Sequence, residues 1–184
     1  MTAIGVQQLQ KTMKPQLRSR MFFETFLRVM ITLSAGSAIV LSSISVCDGQ
    51  WLSSPGEQLF GVWDTCRKDA GPQCSQEMAQ LSRVMVVVRT TVTLAVVLAI
   101  FGLELLMVSQ LCDDGHSRKK WNMGSVLLLV SFFLSAIGTL TYVFYLSSYT
   151  IHSSFTLTFW SQFLGVFLFF LNGSSGLYFN HLIA

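Results

Sequence analysis

Formal charge is scarce in this chain and missing from its last third. Only 11% of residues are Asp, Glu, Lys or Arg, and none of them occurs from Trp121 to Ala184. With 52% hydrophobic residues, the chain is too apolar for a soluble globule, so the solvent for most of it is lipid. The shortage also weighs against transport. A transporter or ion pore needs a polar or charged lining, discontinuous helices or filter loops, and the charge-free half supplies none of them clearly. Four cysteines and three histidines form no metal-ligand cluster, and no catalytic triad or Asp-His-His-Cys motif is present, so neither a metal, a cofactor nor an intramembrane enzyme is expected. Repeats and low-complexity segments are also missing, which leaves a single membrane domain over residues 1–184.

What the chain has is four long apolar runs, at 23–46, 84–108, 123–146 and 159–179. Each reaches the roughly 20 residues needed to cross a hydrocarbon layer of about 30 Å at about 1.5 Å per residue. Unpaired backbone groups cost several kcal/mol in lipid, so only helices or closed barrels span it, and these runs are too long and continuous for barrel strands. The expected fold is therefore an all-α membrane bundle of four transmembrane helices. The first run follows Lys11, Lys14, Arg18 and Arg20, as the core of a signal peptide follows its basic region. It is longer than such cores and is followed by no convincing small-residue cleavage site, so it reads as a retained anchor.

Lysine and arginine near span ends set orientation. The leader (1–22) and the short loop at 109–122 hold seven: Lys11, Lys14, Arg18, Arg20, Arg118, Lys119 and Lys120. The loop at 47–83 holds Arg67, Lys68 and Arg83, and the loop at 147–158 holds none. Both termini are thus expected in the cytoplasm, with 180–184 as a short cytoplasmic end and the leader irregular until the bilayer begins. The net charge of +3 reports this orientation and contact with anionic lipid, and gives no reason to expect nucleic acid. Aromatic and β-branched residues from Glu57 to Cys66 and from Tyr149 to Thr156 predict short strands, enough for a small antiparallel sheet on the outer end of the bundle.

Some side chains carry specific expectations. Cys66 and Cys74 lie in a loop facing an oxidising compartment, where a disulfide forms and persists; so short a loop gives roughly 2 to 3 kcal/mol on the chain-entropy model. Cys47 at the lipid boundary reads as a packing residue. Cys112, just beyond the second span, is either a juxtamembrane site for S-acylation or a plain free thiol. Arg28 and Glu104 lie one to one and a half turns from the cytoplasmic ends of consecutive antiparallel spans, which suggests an intramembrane ion pair or snorkelling of each to the interface. Asn172, Ser174 and Ser175, with Ser131, Ser135 and Gly138, read as interhelical contacts. Asn172-Gly-Ser174 matches a glycosylation sequon but falls within a span, out of the transferase's reach.

The 47–83 loop carries Trp51, then Gly61-Val62-Trp63, then Cys66 and Cys74. That order resembles the W, G-L-W, C, C signature of the claudin and peripheral-myelin-protein superfamily, with Val62 in place of the usual Leu. Arg89 resembles the arginine that many claudins carry at the start of the second helix. Within the superfamily, Phe22-Phe-Glu-Thr-Phe26, Leu41-Ser-Ser-Ile-Ser-Val-Cys-Asp-Gly-Gln-Trp51, Ile100-Phe-Gly-Leu-Glu-Leu-Leu-Met-Val-Ser-Gln-Leu-Cys112 and Met123-Gly-Ser-Val-Leu-Leu-Leu-Val-Ser131 are similar to the voltage-dependent calcium channel gamma-like subunits. The resemblance implies a claudin-like four-helix bundle with an extracellular β-sheet in the plasma membrane. It also implies an accessory subunit that binds the pore-forming alpha-1 subunit of a voltage-gated calcium channel and favours its inactivated or closed state. A claudin-like adhesion or paracellular barrier protein is the alternative. Ending at His181-Leu-Ile-Ala184, the chain offers neither the PDZ-binding tail common in claudins nor the long cytoplasmic tail of the receptor-regulating gamma relatives, which weighs against both.

Overall fold

Continuous apolar runs fold as continuous helices because lipid offers the backbone no other partner. In the computed structural model, which describes residues 3–48, 51–54, 58–60, 77–111, 116–147 and 154–182, the helices are α1 (Ala3–Asp48), α2 (Glu77–Leu111), α3 (Ser117–Ser147) and α4 (Leu157–Leu182). All four are long and apolar enough to cross a membrane, over Phe22–Asp48, Arg83–Leu111, Ser117–Tyr145 and Leu157–Phe179. The chain is a multi-pass membrane protein. α1 differs from the sequence expectation in beginning at Ala3, inside the leader. Most leader residues, Gln7, Leu9, Lys11, Met13 and Leu17 among them, favour helix and propagate the helix nucleated by the span, against the cost of the backbone donor that Pro15 lacks.

Alternating direction places α2 against α3, α3 against α4 and α4 against α1, with a sparser contact between α1 and α2. Close approach needs small residues. A Cβ added to Gly124 of α3 would lie 2.8 Å from the carbonyl oxygen of Gly102 in α2, so these two backbones touch where only glycine fits. Ala35, Ala38, Ala95 and Ala99 are likewise fully buried. Two apolar clusters fill the interior. One joins Ile31, Ala99, Leu106, Trp121, Leu128 and Phe169, and the other joins Trp51, Met85, Val88, Val92, Tyr142 and Phe159. The outside is as apolar as the inside, with Phe26, Leu33, Phe101, Phe133, Ile137 and Phe163 all exposed, as a lipid-facing surface requires.

Three short strands, β1 (Leu52–Ser54), β2 (Gln58–Phe60) and β3 (Ser154–Phe155), lie in the order β2-β1-β3, both pairs antiparallel. Leu52 is opposite Phe60 in one pair and Phe155 in the other. The strands follow the end of α1 and precede the start of α4, so they mark one end of the bundle, called the sheet end below.

Candidate functional site

Trp51, three residues beyond α1, is the anchor of the sheet end. It is 1% exposed, its ring stands edge-on to Tyr142 of α3 at 4.8 Å and to Phe159 of α4 at 6.2 Å, and its indole N–H donates to the Ser45 carbonyl at 3.1 Å. Its own carbonyl accepts from the Thr156 amide at 3.2 Å, beside the β1–β3 pairing. Two further bonds tie α1 to α4: Ser45 donates to the Thr158 carbonyl at 2.9 Å, and Thr158 donates to Asp48 at 2.7 Å. One tryptophan thus fixes the first connection to three helices at once. Gly61, Val62, Trp63, Cys66, Cys74 and Cys112 lie outside the described residues. Arg89 is half-buried in α2, and Cys47 is an exposed free thiol.

Below Trp51 an uncharged polar seam runs through the bundle. The fully buried Gln162 of α4 donates to Ser135 of α3 at 2.7 Å and accepts from Ser42 of α1 at 3.0 Å, so one amide joins three helices. Asn172 uses its amide nitrogen twice, donating to Ser34 of α1 at 3.1 Å and to the Leu168 carbonyl at 2.7 Å. Ser131 bonds back to Leu127, Ser174 to Phe170, and Gly138 meets Val92 of α2, so these three do not share one contact. Among the described residues the Tyr142 hydroxyl is the buried side-chain polar atom without a partner.

At the opposite end, Trp121 is buried and donates to the Gly176 carbonyl at 3.0 Å, pinning α3 to α4. The Arg28 guanidinium of α1 lies 5.1 Å from the centre of the Trp121 ring and 5.8 Å from that of Phe179, a cation over two π faces. Gln110 of α2 donates to the Arg28 carbonyl at 3.2 Å and to Thr32 at 2.5 Å. Ser109 and Ser117 exchange hydroxyl-to-carbonyl bonds of 2.8 and 2.6 Å across the α2–α3 connection.

These contacts separate Arg28 from Glu104, and the two make no ion pair among the described residues. The level of Arg28 on α1 is that of Gln110 on α2. Glu104 precedes Gln110 by six residues, about 9 Å at roughly 1.5 Å per residue, and is exposed. Side chains also lean toward the N-terminus of their own helix. In antiparallel neighbours, Arg28 therefore leans toward the opposite end and Glu104 toward the sheet end, so they diverge.

Sequence reasoning passed over Gln162 and Trp121. Both had a signal: an amide five residues into an apolar helix must find partners, and a tryptophan following Lys119-Lys120 sits where aromatic belts lie. Among the described residues no group of His, Cys, Asp or Glu is placed to hold a metal ion. Apart from the Tyr142 hydroxyl, the buried polar side chains of the described residues are hydrogen-bonded within the bundle, and most of the surface of the spans is apolar.

Comparison with known proteins agrees in kind. Residues 6–184 match the voltage-dependent calcium channel gamma-like subunit protein family. The human voltage-dependent calcium channel gamma-like subunit is 48% identical over 185 residues, covering 98% of this chain and 96% of the human one. A match over nearly the whole length shows the family, and the chain belongs to the voltage-dependent calcium channel gamma-like subunits, a family of channel accessory proteins and not of enzymes.

Proposed function

We propose that this protein is a plasma-membrane accessory subunit that binds the pore-forming alpha-1 subunit of a voltage-gated calcium channel and stabilises an inactivated or closed state. The observation that carries the reading is the near-full-length identity to a human protein named as a gamma-like subunit. Its physical support is a bundle whose buried polar side chains, the Tyr142 hydroxyl apart, are hydrogen-bonded among the described residues and whose exposed faces are largely aliphatic and aromatic, a surface suited to other membrane helices. Modulation needs only that the subunit bind one channel conformation better than another. A coupling of about 1 to 3 kcal/mol shifts the gating equilibrium about 5- to 150-fold.

The same reading puts both termini in the cytoplasm and makes the sheet end extracellular in a claudin-like bundle. Gly61, Val62 and Trp63 then complete the family motif around the buried Trp51, Cys66 and Cys74 form the disulfide that closes the large loop, and Cys112 is a juxtamembrane site for S-acylation. The test is co-expression with a pore-forming subunit under voltage clamp, where fewer available channels at a given holding potential are expected. Unchanged current density and inactivation across channel classes would overturn the reading, and junction strands between transfected cells would move the protein to the barrier group.

A further inference from the structure

Arg28 is a half-buried cation inside a span, and its side-chain contacts are two rings, Trp121 and Phe179. Neither Glu24, one turn earlier on α1, nor Glu104 forms an ion pair with it among the described residues. Rings attract the guanidinium but do not neutralise it, and they accept none of its N–H donors in the way a phosphate oxygen does. The depth of the site says what that acceptor is. The span of α3 begins at Ser117, so Trp121 lies about 6 Å inside it at roughly 1.5 Å per residue, the level of the interfacial aromatic belt. Held over Trp121, the Arg28 guanidinium therefore sits at headgroup level, within reach of lipid phosphate.

Three more cations stand at the same end of the bundle, on the first turn of α3. Arg118, Lys119 and Lys120 occupy the turn of α3 just outside Trp121, with Arg118 and Lys119 exposed and Lys120 half-buried. We propose that Arg28, with Lys119 and Lys120 of the α3 turn that precedes Trp121, forms a binding site for the phosphate headgroup of an anionic phospholipid at the end of the bundle opposite the sheet. The lipid's acyl chains run along the apolar exterior of α1, where Phe23, Phe26 and Met30 are exposed within five residues of Arg28. Under the orientation proposed above this is the cytoplasmic leaflet, where anionic lipid is concentrated. The site itself does not depend on that orientation or on a channel.

The test is reconstitution of the full chain in phosphatidylcholine nanodiscs in which about one lipid in ten is phosphatidylserine or phosphatidylinositol bisphosphate, followed by native mass spectrometry of the lipids that stay bound. Both leaflets carry the same lipids, so insertion direction does not matter. The wild type is expected to retain the anionic lipid over phosphatidylcholine. Arg28→Gln, and separately Lys119→Gln with Lys120→Gln, lower that preference about fivefold for each charge removed, while Arg28→Lys preserves most of it. The lysine variants alter surface side chains and keep the test valid if Arg28→Gln fails to fold. Equal retention of anionic and neutral lipid by the wild type overturns the proposal. So does unaltered retention by the lysine variants, or by Arg28→Gln with a wild-type melting profile.

Discussion

Replacing Gly124 with Ala adds one methyl group at the closest approach of two backbones. The new Cβ would lie 2.8 Å from the Gly102 carbonyl oxygen, and 3.1 and 3.2 Å from Cγ and Cδ2 of Leu106. Ordinary contact lies near 3.5 to 4.0 Å between carbons. Leu106 is fully buried and the Gly102 oxygen is backbone, so neither yields without moving α2. Overpacking of this kind costs about 1 to 3 kcal/mol. The same substitution at Gly36, where an added Cβ meets nothing within 4 Å, carries the helix-propensity gain without the clash. That gain is up to about 1 kcal/mol relative to glycine in water, and it cancels when the two variants are compared. Reversible unfolding by SDS in mixed micelles should place Gly124→Ala about 1 to 3 kcal/mol below Gly36→Ala. Equal stabilities would refute the close α2–α3 packing.

Three further outcomes follow from the same geometry. Gln162→Leu strands the Ser42 and Ser135 hydroxyls and should cost about 0.6 to 2 kcal/mol in that assay, whereas no loss would mean that the three-helix amide is not formed. Tyr142→Phe removes a buried hydroxyl without a partner among the described residues and should leave stability unchanged or raise it by up to about 1 to 3 kcal/mol; a clear loss would reveal a bond the structure does not have. Arg28→Gln and Glu104→Gln should add within about 0.5 kcal/mol in a double-mutant cycle, because their side chains diverge, and a larger coupling would restore the ion pair.

The spans were legible in the sequence because lipid imposes one requirement on every residue: an apolar run of sufficient length has no alternative to helix. Trp51 was legible as a motif residue, but its role as the joint between β1, α3 and α4 depends on Tyr142 and Phe159, which come from distant segments. Asn172 announced itself as polar in an apolar run, and the structure supplies its partner, Ser34. Gln162 carried the same signal and was overlooked. The Arg28–Glu104 expectation came from counting residues to the helix ends, which gives depth to within about a turn. It could not include the lean of side chains or the Gln110 contact that sets the register of α1 against α2. The leader's helix was hidden because its residues are polar, and hydropathy does not register propensity.

Under the proposed function this protein biases a calcium channel toward a non-conducting state, and steady-state inactivation measures that bias directly. At a holding potential where half of the channels are available without it, the smallest coupling expected, about fivefold, would reduce availability to roughly one in six. Availability that stays at one half across channel classes, at matched surface expression of both proteins, would contradict the account.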